Sequence, residues 1–406
     1  MSGEDLTGTD VGPPADAASG GDLRMIALHA IDQARPDAVV TVLRSLLADR
    51  LGALRVRLLL ANYQLTALRP IQDPDDHEVL LDTPAGQAFV SQHPVTRGND
   101  AGESELFLPI SIRGDWMGVL QLSLPVEPAA ERLHELGELA TVIAYALQAA
   151  ARQSDLLHRA ARSQRLTLAG ELQWQLLPGR GARSPEYQLA GHVEPAHHVH
   201  ADNVDWSQDD DQLILSVTDA ARHGPVASLL TTLAVTALRN ARRAGLGAAD
   251  QAALADQAVY AHHQGRQYVS TLLVRIDLST GRGEVVQAGS PRLLIVRGGD
   301  VVQPALQDQL PLGMFDETDY FSEHFALATG DRLVIVSDGI HAAKSPDGQR
   351  FGDGSLPELL RETAGLPVGG VIRRVIDEVF EHRDLAELDD DAAILCLDWS
   401  GSEAER

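Results

Sequence analysis

Basic residues are scarce in this chain. Lys344 is the only lysine among 406 residues, and 58 Asp and Glu against 33 Lys and Arg leave a formal charge of −25. That balance argues against a nucleic acid or an anionic membrane as partner, because no basic surface could match the phosphate charge. It favours divalent cations and basic partner patches instead. A Walker A phosphate loop is excluded, since its lysine follows glycine and Lys344 follows Ala343. One lysine beside abundant Arg, Ala and Asp suits a GC-rich bacterial genome. Cysteine is nearly absent too. Cys396 stands alone in the apolar run AAILCLDW, which rules out an intramolecular disulfide and a Cys-based zinc knuckle and suits a buried thiol. No apolar run is long enough to span a bilayer, and the N-terminus lacks the basic start and apolar core of a signal peptide. The expectation is a cytoplasmic protein with a disordered segment at 1–22.

What remains is ordinary globular composition, with 44% hydrophobic and 22% charged residues. A chain of this length is expected to form two domains with separate cores. From Leu23 to about Ala53 the apolar spacing is helical, through Ile26, Val39, Val40, Leu43 and Leu47. The strand-like runs RVRLLLANYQ and ELFLPISIRGDWMGVLQLSLP follow, and Arg113-Gly114-Asp115 marks a hairpin turn in the second. After Pro128 about fifty residues read as helix, with Leu133, Leu136, Leu139, Ile143, Leu147, Leu157 and Leu172 at helical spacing. This is either a signalling helix able to pair in a homodimer, or consecutive helices packed on a domain. Pro178 ends it.

Beyond residue 180, short apolar strands dominate, with helical stretches at 224–243 and 357–382, the pattern of an α+β sandwich. Carboxylates recur at the strand ends. Asp202 and Asp205 follow one strand, Asp219 ends LILSVTD, Asp338 ends LVIVSD, and Asp389, Asp390 and Asp391 precede the last strand. Singly they could be a turn at Asp338-Gly339, a helix cap at Asp219 and a solvated loop at 389–391. Converging, they would repel one another unless divalent cations neutralised them, and oxygen-only donors suit Mg2+ or Mn2+. Two such ions activating water on a phosphate would fit phosphoester hydrolysis. A different reading starts from HVHAD, where His198, His200 and Asp202 have the H-x-H-x-D spacing of metallo-β-lactamase-type zinc hydrolases. That motif needs a histidine next, and Asn203 stands there.

Two family resemblances add to this. The segment LPISIRGDWMGVLQLSLP resembles the hallmark hairpin of the GAF sensor domain, over residues 23–150. It implies helices flanking an antiparallel sheet, and a small ligand or protein partner of unknown identity. The C-terminal part, 180–400, resembles the SpoIIE-like branch of the PPM metal-dependent phosphatases. The segments that carry this are AGELQWQLLP, VHADNVD, TDAARHG, AGSPRLLIVR, LPLGM, GDRLVIVSDGIHAAKSPDGQRFG and DDAAIL. Residues 151–179 would be the linker.

The resemblance implies Asp202, Asp219, Asp338 and Asp390 as ligands of two Mn2+ or Mg2+ ions, with the Ala220 backbone carbonyl as a further ligand. The register between Asp389, Asp390 and Asp391 stays open. The attacking group would be metal-bound water, with no protein nucleophile. His200, Asp205, Arg222, His223, Gly339 and Asp391 would stand behind the ligands or toward the substrate. That substrate would be a phosphorylated regulatory protein, such as an anti-sigma-factor antagonist. The sequence departs from the family at the two glycines before Asp202, now His200 and Ala201, at Ala221 and Arg222, and at Ser290 in place of histidine. A non-catalytic phosphatase-fold scaffold is therefore the alternative, and the zinc hydrolase a further one.

Overall fold

The computed structural model describes residues 20–71, 77, 79–98, 102–162, 166–196, 201–220 and 223–402. The N-terminal half opens with helices α1 (Gly20–Asp32) and α2 (Val39–Leu51), so the helical run expected from Leu23 is two helices rather than one. A sheet follows, built from β1 (Arg55–Ala61), β2 (Ala67–Pro70), β3 (Val79–Leu80), β4 (Val95–Gly98), β5 (Ser104–Ile112) and β6 (Asp115–Leu124), with α3 (Pro84–Ser91) between β3 and β4. The strand order is β3-β2-β1-β6-β5-β4, all antiparallel. The turn read from the sequence is present. Arg113 and Gly114 both take positive φ (49° and 89°) between the paired residues Ile112 and Asp115, the geometry that matches the twist of a two-residue hairpin.

The fifty-residue helical run resolves into α4 (Ala130–Ala151), α5 (Leu156–Ala160) and α6 (Leu168–Leu176) among the described residues. The apolar face of α4, including Leu136, Leu139, Ile143 and Leu147, lies with α1 and α2 on one face of the sheet, in a core that also holds Leu106, Leu108 and Leu120. Its hydrophobic stripe is thus consumed inside its own domain, which is the domain-packing alternative.

The C-terminal half is a sandwich. One sheet, in the order β15-β12-β11-β10-β9, contains β9 (Asn203–Asp209), β10 (Gln212–Ala220), β11 (Val269–Asp277), β12 (Arg282–Ala288) and β15 (Glu323–Ala326). The other, β14-β13-β16-β17-β8-β7, contains β7 (Gly181–Arg183), β8 (Tyr187–Glu194), β13 (Arg292–Arg297), β14 (Asp300–Val302), β16 (Arg332–Val336) and β17 (Ala392–Trp399). Alternate residues of both sheets, among them Leu213, Leu215, Val217, Leu333, Ile335 and Leu395, fill the space between them. Helices α7 (Pro225–Arg243) and α8 (Ala248–His263) cover the first sheet, and α10 (Ser355–Glu362) and α11 (Val368–His382) the second, with the single turn α9 (Asp338–His341) at the end of β16. Cys396 is buried in β17, and burial pushes its thiol well up, so it is an inert core residue. Among the described residues no helix is long and apolar enough to cross a membrane.

The two halves are pinned together. Arg180, just past α6, donates to the carbonyls of Ala61, Asn62 and Trp116 at 2.9–3.1 Å, and its own N–H donates to Asp115 Oδ1 at 2.8 Å. Burial lowers the Arg180 pKa and raises that of Asp115.

Candidate metal centre

The strand-end carboxylates meet at one end of the sandwich. Asp202 precedes β9 and Asp219 lies near the end of β10, whose Thr218 pairs with Asn203, so the first sheet supplies two neighbouring carboxylates. The second sheet supplies Asp338, the first residue of α9, and the pair Asp390 and Asp391 just before β17. Ser337 ties these two segments together. Its N–H donates to Ala393 O, its hydroxyl donates to Asp391 O and accepts from Ala393 N–H. Gly339 is needed here for space, because a Cβ on it would lie 1.9 Å from the Asp391 carbonyl oxygen. Its role is this close approach of backbones.

Electrostatics show the convergence. Asp202 is fully buried, and neither of its carboxylate oxygens has a hydrogen-bond partner. Burial, then the charges of Asp219, Asp391 and Asp390, raise its pKa well above its ordinary value, against a smaller lowering by the nearby Ser337 hydroxyl. Asp219 is pushed up to about 7 by burial and by Asp338, although the Ser290 hydroxyl donates to its Oδ2 at 2.5 Å. Ser290 stands where the family pattern has histidine. His341 Nε2–H in turn donates to the Ser290 carbonyl at 3.0 Å.

Orphaned, buried carboxylate oxygens facing other carboxylates are the donor set that a hard divalent cation satisfies. The residues present therefore fit Mn2+ or Mg2+. Among the described residues no group of three or more His, Cys, Asp or Glu is already disposed to hold a metal ion.

Asp219 has a measurable consequence. Its folded pKa of about 7 lies above the ordinary carboxylate value, so the folded protein binds the extra proton. That stabilisation is complete below about pH 4 and is lost as pH rises through about 7, a change on the order of 4 kcal/mol. Metal-free protein is expected to unfold at a lower temperature at pH 8 than at pH 5.5, and Mn2+ to reverse the loss. Thermal scans at the two pH values check this, and a midpoint independent of pH and of Mn2+ would contradict it.

Asp391 does a different job from Asp390. It is fully buried, with Oδ1 accepting from Ala196 N–H (2.8 Å) and Oδ2 from Ala201 N–H (2.8 Å) and Asp202 N–H (3.3 Å). Gln173 Nε2 on α6 also donates to Asp391 Oδ2 (2.7 Å) and to the Asp202 carbonyl (3.0 Å). Asp391 thus holds the segment that carries Asp202. Ala201 sits at φ 73°, a left-handed conformation that costs a residue with a Cβ about 1 kcal/mol or more. Asp390 is half-buried, and its Oδ1 accepts the Asp391 N–H (2.8 Å). Asp389 is 86% exposed and paired with Arg383, which removes it from the site.

Other sequence candidates fall elsewhere. Asp205 does not join the cluster. Its buried carboxylate accepts from Arg239 and Arg242 of α7 at 2.6–3.2 Å, so it anchors that helix to β9. Ala220 ends β10, buried, opposite Val269. His223 is exposed. His198, His200 and Arg222 lie outside the described residues. Gln173 and Arg180 were not foreseen as functional. The one sequence signal for Gln173 was an amide on the same helix face as Ala169 and Gly170, the other residues that α6 buries.

Comparisons with known proteins bear on the C-terminal half. Residues 209–400 match the family model described as stage II sporulation protein E (SpoIIE). Among curated proteins, none matches the sequence. Among solved structures, the chain is similar to the SiaA PP2C domain of Pseudomonas aeruginosa, with 22% identity, 57% of this chain and 94% of that chain covered, and a TM-score of 0.49. It is also similar to the RsbU and RsbW domains of Rv1364c from Mycobacterium tuberculosis (21%, 54% and 62%, TM-score 0.45). A third is the catalytic domain of the serine/threonine phosphatase PstP in complex with 2 manganese ions (16%, 52% and 98%, TM-score 0.39). Residues 209–400, just under half of the chain, thus carry the sequence pattern of the SpoIIE family model.

Proposed function

We propose that the chain is a signal-regulated, Mn2+- or Mg2+-dependent protein serine/threonine phosphatase. Its substrate would be phosphoserine or phosphothreonine on a small regulatory protein, an antagonist of an anti-sigma factor being the candidate. The observation that carries this reading is the fully buried, unpartnered Asp202 carboxylate facing Asp219, Asp390 and Asp391, within a domain that matches the SpoIIE family model.

Asp202, Asp219, Asp338 and Asp390, with the Ala220 carbonyl, would hold two ions. Bound there, the ions would supply an activated water and neutralise the phosphoryl oxygens. The protein's own part is positional. Asp391 and Gln173 fix the segment bearing Asp202, Ser290 orients Asp219, and Gly339 lets α9 approach the Asp390-Asp391 backbone. The N-terminal half, with its antiparallel sheet and RGD hairpin, is proposed as a GAF-type sensor. Gln173 joins α6 directly to the metal segment, so movement of the junction would reach the site. If a chain starting at residue 180 had the same activity and metal affinity as the full chain, that coupling would be refuted.

Hydrolysis of a phosphoserine peptide is expected to require Mn2+ and to fall at least about a hundredfold in Asp338→Asn. No turnover by the folded wild-type protein would favour the scaffold reading. Turnover supported by zinc and abolished by His198→Ala would favour the zinc reading.

A further inference from the structure

A cavity of about 280 Å³ lies between the two halves of the chain and has walls from both. The N-terminal half contributes Phe89 and Trp116, whose rings meet edge to face with centroids 6.1 Å apart. Helix α11 contributes Ile372 and Ile376, and β8 contributes His192 and Glu194. Trp116 is seated by a missing side chain, since a Cβ on Gly369 would come within 1.6 Å of its indole ring. The aromatic wall is therefore held in place by the phosphatase half, and the cavity exists only when the two halves are docked.

The polar lining holds Glu194, Asp377 and Arg373, and Arg373 pairs with Asp377 at 3.6 Å, which leaves Glu194 as the carboxylate without a cation. The Glu194 side chain is 13% exposed, and its Oε2 accepts from His192 Nε2–H at 3.1 Å. Its other oxygen has no partner among the described residues. A carboxylate placed among aromatic and aliphatic walls calls for an N–H donor or a cation, and aromatic faces favour cations as well. The charge of −25 raises the local concentration of small cations further. Glu194 is also two residues from Ala196, whose N–H is held by Asp391, so the floor of the cavity leads straight into the metal segment.

We propose that this cavity binds a small aromatic molecule bearing one ammonium group, with its ring between Phe89, Trp116 and α11 and its ammonium on Glu194. The proposal rests on the sensor role given above to the N-terminal half, and it does not require that the metal centre turn over phosphoprotein. The probes are phenethylammonium and tryptammonium chloride, titrated calorimetrically into the full chain without metal. Saturable one-site binding is expected, at least tenfold weaker in the isosteric Glu194→Gln and in Ile376→Trp, which fills the cavity. The anionic isostere 3-phenylpropionate is expected not to compete. No saturable binding of either amine below about 10 mM would overturn the proposal, that being the weak end of the range for ligands of this size. Equal binding in Glu194→Gln, or equal binding of 3-phenylpropionate, would also overturn it. A failure here beside intact phosphopeptide hydrolysis would remove the pocket and leave the phosphatase reading standing.

Discussion

Replacing Asp391 with alanine is expected to destabilise the C-terminal half by about 4 kcal/mol and to weaken Mn2+ binding at least tenfold. The variant strips one fully buried carboxylate from four donors, the N–H groups of Ala196, Ala201 and Asp202 and the Gln173 amide. A buried donor without an acceptor costs on the order of 1–3 kcal/mol, and several lose theirs at once. The metal effect follows because these bonds fix the backbone on either side of Asp202, and because Ala201 keeps its left-handed conformation against intrinsic preference. Asp389→Ala is the control. That exposed ion pair is worth at most about 1 kcal/mol, so the control should unfold and bind Mn2+ nearly as wild type does. Ala201→Gly should move stability the other way, by roughly 0.5 kcal/mol, since the strain relieved slightly exceeds the entropy glycine loses. Thermal unfolding and Mn2+ titration of the three variants check the set. If Asp391→Ala and Asp389→Ala behaved alike, the register proposed for the aspartate triplet would be wrong.

Arg180→Ala is expected to loosen the docking of the two halves of the chain without unfolding either. The side chain reaches carbonyls on two segments of the N-terminal sheet, at 61–62 and 116, while its backbone holds Asp115 in the hairpin turn. Removing the guanidinium leaves those carbonyls without their donor at a partly buried junction, a loss on the order of 3 kcal/mol. The apolar part of the junction, where Phe89, Trp116 and Val119 share a core with Ile372 and Ile376, stays in place, so the docked population falls without vanishing. Proteolysis between residues 151 and 180 should accelerate by tenfold or more, and the scattering radius should increase. Unchanged cleavage would show that the apolar contacts, with Trp116 seated at Gly369, suffice alone.

The strand-end aspartates were legible in the sequence because the apolar runs before them have clear strand character, and the structure carries Asp202, Asp219, Asp338 and Asp390 to one end of the sandwich. The hairpin turn was legible for a local reason too, since Arg113-Gly114 places its glycine where a positive φ is required. Asp205 was placed near the site by its position after a strand and by the family resemblance of VHADNVD. The parity of a strand could have warned against it: Val204 and Trp206 enter the sandwich core, so Asp205 must face the other way, toward α7. The helical run after Pro128 shows no glycine or proline at 152–155, so its break there is invisible to periodicity. Gln173 and Arg180 act on residues up to 218 positions away, and such contacts leave no local pattern to read.

Four dispersed carboxylates are proposed to hold divalent cations. Anomalous diffraction at the manganese edge, from crystals of the full chain grown with MnCl2, tests this most directly. Manganese peaks are expected, contacted by Asp202, Asp219, Asp338 and Asp390 and by the Ala220 carbonyl. Peaks on His198 and His200 instead, or no peak at the end of the sandwich at saturating Mn2+, would contradict it.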